Sequence, residues 1–494
     1  MSKITGKTLF RLIAIAVGSA IMVFGGVIFA QDEGEPADDA AAAEEVVAEE
    51  EAAAAEEVTM VTTEQLDEVA YRIDYVWILV AGFLVFFMQA GFAMLEAGFI
   101  RQTGVVNSLT ENFVDAGLTG ILFWAVGYTV AYGTSQGGFI GGGDYLFFSG
   151  IAADGTLDDA LYLGFFFQFA FAAAASTIAT GGMAERTDFV GKIIYSAIVG
   201  AVLYPVVVHW IWGGGGWLFE AGYNDFAGSA VVHMVGGILA LVGAIVIGPR
   251  AGVDPKNPPR PHNLALATIG TSILWFGWYG FNVGSTLDAT SPGLMGLVAT
   301  NTTIAAAAGT MSAMFFAFST KGGKWDLSLA LNGALAGLVG ITASCAFVAP
   351  WAALLIGLTA GVVVVISVDI VAGAGIDDAV GAFAVHGACG MLGVLSIGFF
   401  GIEELLWSDV GAGLFMPNGG VGLLWLQFYG MAAVAIWTTV TAAVMFLGLK
   451  AIGKLRIPDN AMDMGIDVYE HDASVWPDVL DIDAEKGAAP AMGD

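Results

Sequence analysis

Apolar runs of about twenty residues, broken by short polar stretches, fill most of the chain from residue 76 onward. A bilayer core about 30 Å thick is crossed by ~20 apolar residues of helix. On that measure eleven segments are expected to span, near 76–99, 115–135, 161–182, 189–210, 228–248, 263–284, 299–319, 326–346, 350–372, 381–401 and 421–449. Their connections are short and rich in Gly, Pro and Asp, as in GGFIGGGD, DPKNPPRPHN and SPG, so one continuous membrane domain is expected over 71–456. The fold class read from this pattern is an all-α polytopic membrane protein. Ahead of it, Lys3, Lys7 and Arg11 precede LIAIAVGSAIMVFGGVIFA and then the polar QDEGEP, so residues 1–30 read as a cleaved signal peptide. An uncleaved anchor helix is the alternative. Residues 31–70 read as an acidic, low-complexity, disordered segment, and 457–494 as an acidic cytoplasmic tail.

Composition changes this picture little. The 494 residues are 57% hydrophobic and 13% charged, more apolar surface than a soluble domain could hide. The net charge of −30 is concentrated at the ends: fifteen of the 46 acids lie between Asp32 and Glu68 and ten between Asp459 and Asp494. The membrane body is much nearer neutral, and nothing in it suits nucleic acid.

Basic residues set an orientation. Arg101; Arg186 and Lys192; Arg250, Lys256 and Arg260; Lys321 and Lys324; and Lys450, Lys454 and Arg456 fall in alternate connections. By the positive-inside rule these are cytoplasmic, the N-terminus is outside, and the chain sits in the inner (plasma) membrane. The 373–380 connection is the exception, with Asp377 and Asp378 where basic residues are expected.

The most informative feature is a repeat. DFAGSAVVHMVGG at 225–237 and DAVGAFAVHGACG at 378–390 both fit D-x2-G-x3-V-H-x3-G, at the start of the fifth and tenth spans. Five spans apart, the copies enter the membrane from opposite sides, which is the trace of an inverted repeat. Asp225 and Asp378 stand at helix N-caps, and His233 and His386 follow eight residues on, roughly 12 Å deeper at 1.5 Å per residue. The two histidines are thus expected near the same mid-membrane depth. A single intramembrane histidine is often a packing residue, but a matched pair points to function. His386 with Cys389 offers no third or fourth metal ligand, so neither metal nor cofactor is expected. His209, beside Trp210, reads as structural.

Aromatic residues near the same spans could hold a cation. Trp212 precedes Gly213 to Gly216 in an outer connection, Phe167 and Phe171 lie at i+4 in the third span, and Phe281 and Ser285 at i+4 in the sixth. Aromatic faces attract ammonium-type cations and a hydroxyl can accept their hydrogens. Taken singly, each is equally a belt anchor or packing residue.

The strings FMQAGFAMLEAGF, HWIWGGGG, DFAGSAVVH, GWYGFNVGS and DDAVGAFAVHG, in this order over roughly 75–470, resemble the ammonium transporter (Amt/MEP/Rh) family. The resemblance implies eleven transmembrane helices, an inverted five-plus-five repeat with a pseudo-twofold axis and a last helix, and a homotrimer with one pore per subunit. It further implies that Trp212, Phe171 and Ser285 form an outer ammonium site, Phe171 and Phe281 a gate, His233 and His386 a pore-lining twin-histidine pair, and Asp225 an essential acid, with Asp378 its second copy. Partners implied are ammonium or ammonia and the lipid bilayer. The chain has Arg101-Gln102-Thr103-Gly104 where the family has Arg-x-Lys-Asn, Ser229-Ala230 where Gly-Thr is frequent, and His471-Asp472 where Gly follows His. The first and third departures weigh against a PII-type regulatory protein as partner more than against conduction.

The function expected is capture of ammonium outside, its deprotonation near the gate, and passage of ammonia, with or without the proton, along the histidines. A dry neck excludes ions by desolvation cost, and no carbonyl-filter signature of the TVGYG kind argues for direct cation coordination. The alternative is a non-transporting ammonium sensor on the same fold. An enzyme using the histidines as acid and base lacks a nucleophile or cofactor motif, so no enzymatic activity is expected.

Overall fold

The computed structural model describes residues 61–475. The expected signal peptide and the end of the acidic tail (476–494) lie outside the described residues, as does the acidic segment up to residue 60. Eleven helices follow one another: α1 (Thr63–Phe99), α2 (Gln102–Tyr132), α3 (Asp159–Met183), α4 (Phe189–Trp212), α5 (Ser229–Ile247), α6 (Leu264–Thr286), α7 (Pro292–Thr320), α8 (Leu327–Thr342), α9 (Pro350–Gly373), α10 (Phe383–Phe400) and α11 (Val421–Ala451). Ten are long and apolar enough to cross a membrane, and α8, at 16 residues, is shorter. Short helices α12 (Asp459–Met464) and α13 (Ile466–His471) follow, and a small hairpin joins Thr134–Gln136 to Ile140–Gly142.

Starts are set by local chemistry. Asp158, Asp188, Asn263 and Asp326 each accept a backbone hydrogen bond at the N-terminus of α3, α4, α6 and α8. Pro292 and Pro350 open α7 and α9, where a missing N–H costs nothing. Three starts differ from the hydropathy reading. α1 begins at Thr63, inside the stretch assigned to the acidic segment 31–70, because EQLDEVAYRIDY continues the helix without a breaker. α2 is helical from Val105 rather than 115, and α7 from Pro292 rather than 299.

The early part of α2 escaped a hydropathy reading because it is polar and buried. Asn107, Glu111, Asn112 and Asp115 are all at most 2% exposed. Lys192, expected to be a loop charge, lies in the first turns of α4, wholly buried, with its ammonium paired to Asp115. That is a correction: it belongs to the core, not to a basic face.

α1–α5 and α6–α10 form the two inverted halves, with α11 after them, and they meet where α5 crosses α10. A Cβ on Gly237 would stand 2.1 Å from the backbone nitrogen of Gly387, and one on Gly390 2.6 Å from the Ser229 carbonyl oxygen. The last glycine of each repeat copy is what lets the two helices touch. Each copy's first glycine, Gly228 and Gly381, takes a positive φ (107° and 79°) that glycine adopts without strain.

Candidate functional site

Both repeat histidines sit on widened, π-helical turns, Ser229–Met234 and Phe383–Ala388. The His233 N–H bonds to the Gly228 carbonyl five residues back. Such turns are rare and recur at functional sites, because they turn a side chain away from regular helix spacing. The Asp225 carboxylate supports the first of them with four backbone donors: Gly228 and Ser229 on Oδ1, Ala230 and Val231 on Oδ2, all at 2.9–3.0 Å. Asp378 does the same more sparingly for the second, accepting from Ala382 and Phe383 at 2.9 Å.

The two histidines meet edge to edge, their rings nearly coplanar. Nδ1 of His386 lies 3.2 Å from Nδ1 of His233, with ring centroids 5.2 Å apart and planes 25° from parallel. They head a column of rings. His233 stacks on Phe281 (5.1 Å) and Trp278 (4.9 Å), Phe281 lies against Phe171 (4.1 Å), and Phe171 meets Trp212 edge-on at 6.1 Å. Beyond His386 the column ends at Phe92, 6.1 Å away. Phe171, Phe281 and His233 are at most 1% exposed, so this neck is closed to bulk solvent.

A wider cavity opens at each end. On the Trp212 side a vestibule of about 340 Å³ is lined by Trp212, Phe171 and Ser285 together with Tyr132, Gln168, Phe226 and Trp407. Ser285 Oγ gives its hydrogen to the Phe281 carbonyl at 2.7 Å, which leaves its lone pairs to accept from a ligand. Trp212 Nε1 donates to the Asp225 carbonyl at 2.8 Å, so the indole is fixed by the residue that caps the histidine turn. The Asp225 side chain itself is wholly buried and does not line the vestibule. On the opposite side a cavity of about 350 Å³ is lined by Lys256, Arg260, Lys321, Asp377, Asp378 and Gly381 among others.

The expected residues therefore converge: Trp212, Phe171 and Ser285 share one cavity, Phe171 and Phe281 are in contact, and His233 and His386 are paired. His209 is held by Ser135 and the Ala131 carbonyl, at 2.9 Å each, away from this column. Sequence reasoning missed Trp278, whose Nε1 bonds to Thr342, although its place three residues before Phe281 puts it on the same helix face. It also missed Gln168, beside Phe167, and Trp407, which comes from a connection with no periodic signal.

The basic side is locked by ion pairs. Asp377 accepts from the Arg250 backbone and from its guanidinium at 2.8–2.9 Å, and Arg250 and Arg101 both pair with Glu185. Burial pushes the Asp377 carboxyl up, but the hydrogen bonds from Arg250 and the charges of Arg186 and Arg250 outweigh it and hold it below the ordinary range. The two acids that break the charge pattern are thus both engaged, one in this lock and one as a helix cap.

Residues 76–476 match the profile of the Ammonium Transporter Family. Ammonium transporter Amt2 of Archaeoglobus fulgidus is 40% identical over 437 residues, 85% of this chain and 92% of the relative. Ammonium transporter 1 member 3 of Solanum lycopersicum is 36% identical over 432 residues, 81% and 92% of the two chains. Among solved structures, one titled Sensor Amt Protein superimposes with a TM-score of 0.74 at 36% identity, over 82% of this chain and all of its own. Candida albicans Mep2 gives 0.73 at 28% identity, covering 79% and 87%.

Proposed function

Because this chain belongs to the ammonium transporter family, we propose that the ring column is its conduction path, entered by ammonium at the Trp212 vestibule. The cation rests against Trp212 and Phe171, worth up to ~2 kcal/mol when desolvated, and donates a hydrogen to Ser285. As it enters the Phe171–Phe281 contact it gives its proton to the unpartnered Nε2 of His233, behind Phe281, because a buried neck imposes the full desolvation cost on an ion that keeps its charge. Neutral ammonia does not meet that barrier, and this separates ammonium from potassium, which has no proton to lose.

The histidines then serve ammonia by a simple count of hydrogens. With one hydrogen between the facing Nδ1 atoms, one ring keeps an Nε2 lone pair and the other an Nε2–H. The pair thus offers an acceptor and a donor along the neck. His233 Nε2 is buried without a hydrogen-bond partner; leaving such an atom unpaired costs about 1–3 kcal/mol, a cost that a passing ligand would relieve. The observation that carries the proposal is the 3.2 Å histidine contact within a buried aromatic column.

In this reading the Trp212 side faces out, the basic side faces the cytoplasm, and the protein works in the plasma membrane as a homotrimer. The basic residues on one side of the bundle support that orientation. The test is labelled methylammonium uptake and potassium leak in proteoliposomes holding the full chain, His233→Ala or His386→Ala. Uptake by the parent chain and its loss in both folded variants is the expected result. Parent liposomes no better than empty ones would overturn transport in favour of sensing, and full uptake by both variants would overturn the histidine path.

A further inference from the structure

Of the buried acids outside the conduction path, Glu96 lies beside it. Glu96 lies one helical turn beyond Phe92 on α1 and is 3% exposed. It lines, with His386, Phe92, Gly181 and Asn332, a cavity of about 20 Å³. That is room for about one water, which needs ~10–15 Å³. Asn332, Val380 and Gly381 border both this cavity and the basic-side vestibule, so the small cavity lies between His386 and the exit.

The surroundings of Glu96 suit a carboxyl with or without its hydrogen. Ionised, it accepts from Ser108 Oγ (3.2 Å) and Asn112 Nδ2 (2.9 Å) on Oε2 and from Thr180 Oγ1 (2.7 Å) on Oε1. Thr180 has one hydrogen but two acceptors, Glu96 Oε1 and the Thr177 carbonyl. When Thr180 turns to Thr177, its lone pair can take a hydrogen from Glu96, and every contact stays satisfied. Asn112 Oδ1 is buried and unpartnered, a second acceptor that a turn of the amide would present. No ion pair holds Glu96 among the described residues. Its charged neighbours are Lys192, which pairs with Asp115, and Glu111. Three carboxylates there face one ammonium, a deficit that an arriving proton reduces.

We propose that Glu96 is a proton-transfer residue of the transport cycle. Resting on the conduction path proposed above, the step balances simply: ammonium gives ammonia and a proton, and the proton moves over the histidines and the cavity water to the Glu96 carboxylate. A neutral carboxylic acid results, and it later releases the proton to the basic-side vestibule. Ammonia thereby passes His386 without recombining in the neck.

The test measures ammonium-evoked charge movement and methylammonium uptake in parallel, in proteoliposomes of the full chain, Glu96→Gln, Glu96→Asp and His386→Ala. Gln keeps the shape but cannot take up the proton, so charge movement should fall at least tenfold while uptake falls less, and Asp should restore part of it. Current in Glu96→Gln within twofold of the parent, with His386→Ala silent, overturns the role of Glu96 and leaves the histidine path standing. Equal loss of current and uptake without recovery in Glu96→Asp assigns Glu96 to packing and overturns it too. Parent uptake with no current means that no proton crosses, and this likewise removes the proton-transfer role. Unchanged current in His386→Ala sinks the histidine path itself.

Discussion

Replacing Asp225 by Asn separates two roles that one buried acid could play. Its two oxygens hold four backbone N–H groups at 2.9–3.0 Å at the start of the His233 turn. Asn has one oxygen, so two of the four donors would meet an NH₂ group instead of an acceptor. Each buried donor left unpaired costs about 1–3 kcal/mol, giving roughly 2–6 kcal/mol for the pair. The two surviving bonds lose their charge assistance and about half their strength. Against a typical stability of about 5–15 kcal/mol, this is a large fraction. Asp225→Asn should therefore unfold in detergent at clearly lower temperature or denaturant than the parent. Because the Asp225 carbonyl also holds Trp212, any weakening of ammonium capture should come together with that lost stability. A variant that unfolds like the parent yet transports nothing would refute the capping argument and assign the charge to the cation.

Three other perturbations are informative. Trp212→Leu removes a cation–π face worth about 0.5–2 kcal/mol, so half-saturation for uptake should rise roughly twofold to thirtyfold with little change in maximal rate; an unchanged concentration dependence makes Trp212 an anchor only. Gly237→Ala pushes a methyl to within 2.1 Å of the Gly387 backbone, so α5 and α10 must separate beside the histidines, at about 1–3 kcal/mol, and uptake should collapse; parent-like uptake would show that the crossing can yield. Asp377→Asn breaks a buried pair with Arg250, costing about 3–5 kcal/mol in unfolding measurements. Since the folded carboxyl lies below its ordinary range, the parent should keep this advantage from pH 7 to 5 and lose it only below about pH 4, where the carboxylate takes up its proton; a gap closed by pH 5 contradicts the assignment.

Most spans were legible because lipid and core both demand apolar runs. The exceptions share one cause. Val105 to Asp115 looked like a connection because hydropathy scores Asn107, Glu111, Asn112 and Asp115 as solvent-facing, whereas inside the bundle Asn107 bonds to Glu111, Asn112 to Glu96, and Asp115 to Ser176 and Lys192. Counting basic residues misassigned Lys192 for the same reason. The count also made Asp377 an anomaly, because its partner Arg250 is 127 residues away in sequence. A sum over residues cannot register pairing, and pairing decides which charges face water.

The site was legible where spacing repeats and illegible where it is assembled from distant segments. The repeat exposed the aspartates and histidines, but its glycines acquire meaning only in three dimensions. Gly237 admits Gly387 and Gly390 admits Ser229, so each copy of the motif receives the turn of the other. Ser229, where the family resemblance expects a glycine, ties its turn to the end of α8 instead: its hydroxyl donates to the Val339 carbonyl and accepts from the Ala343 N–H, both at 2.7 Å. Fixed spacing from cap to histidine to glycine is then a geometric necessity, not only a trace of duplication. One residue more in either copy would turn its histidine off the shared axis by about 100°, the angle per residue of a helix with 3.6 residues per turn. The 3.2 Å contact survives only if both copies keep the same count.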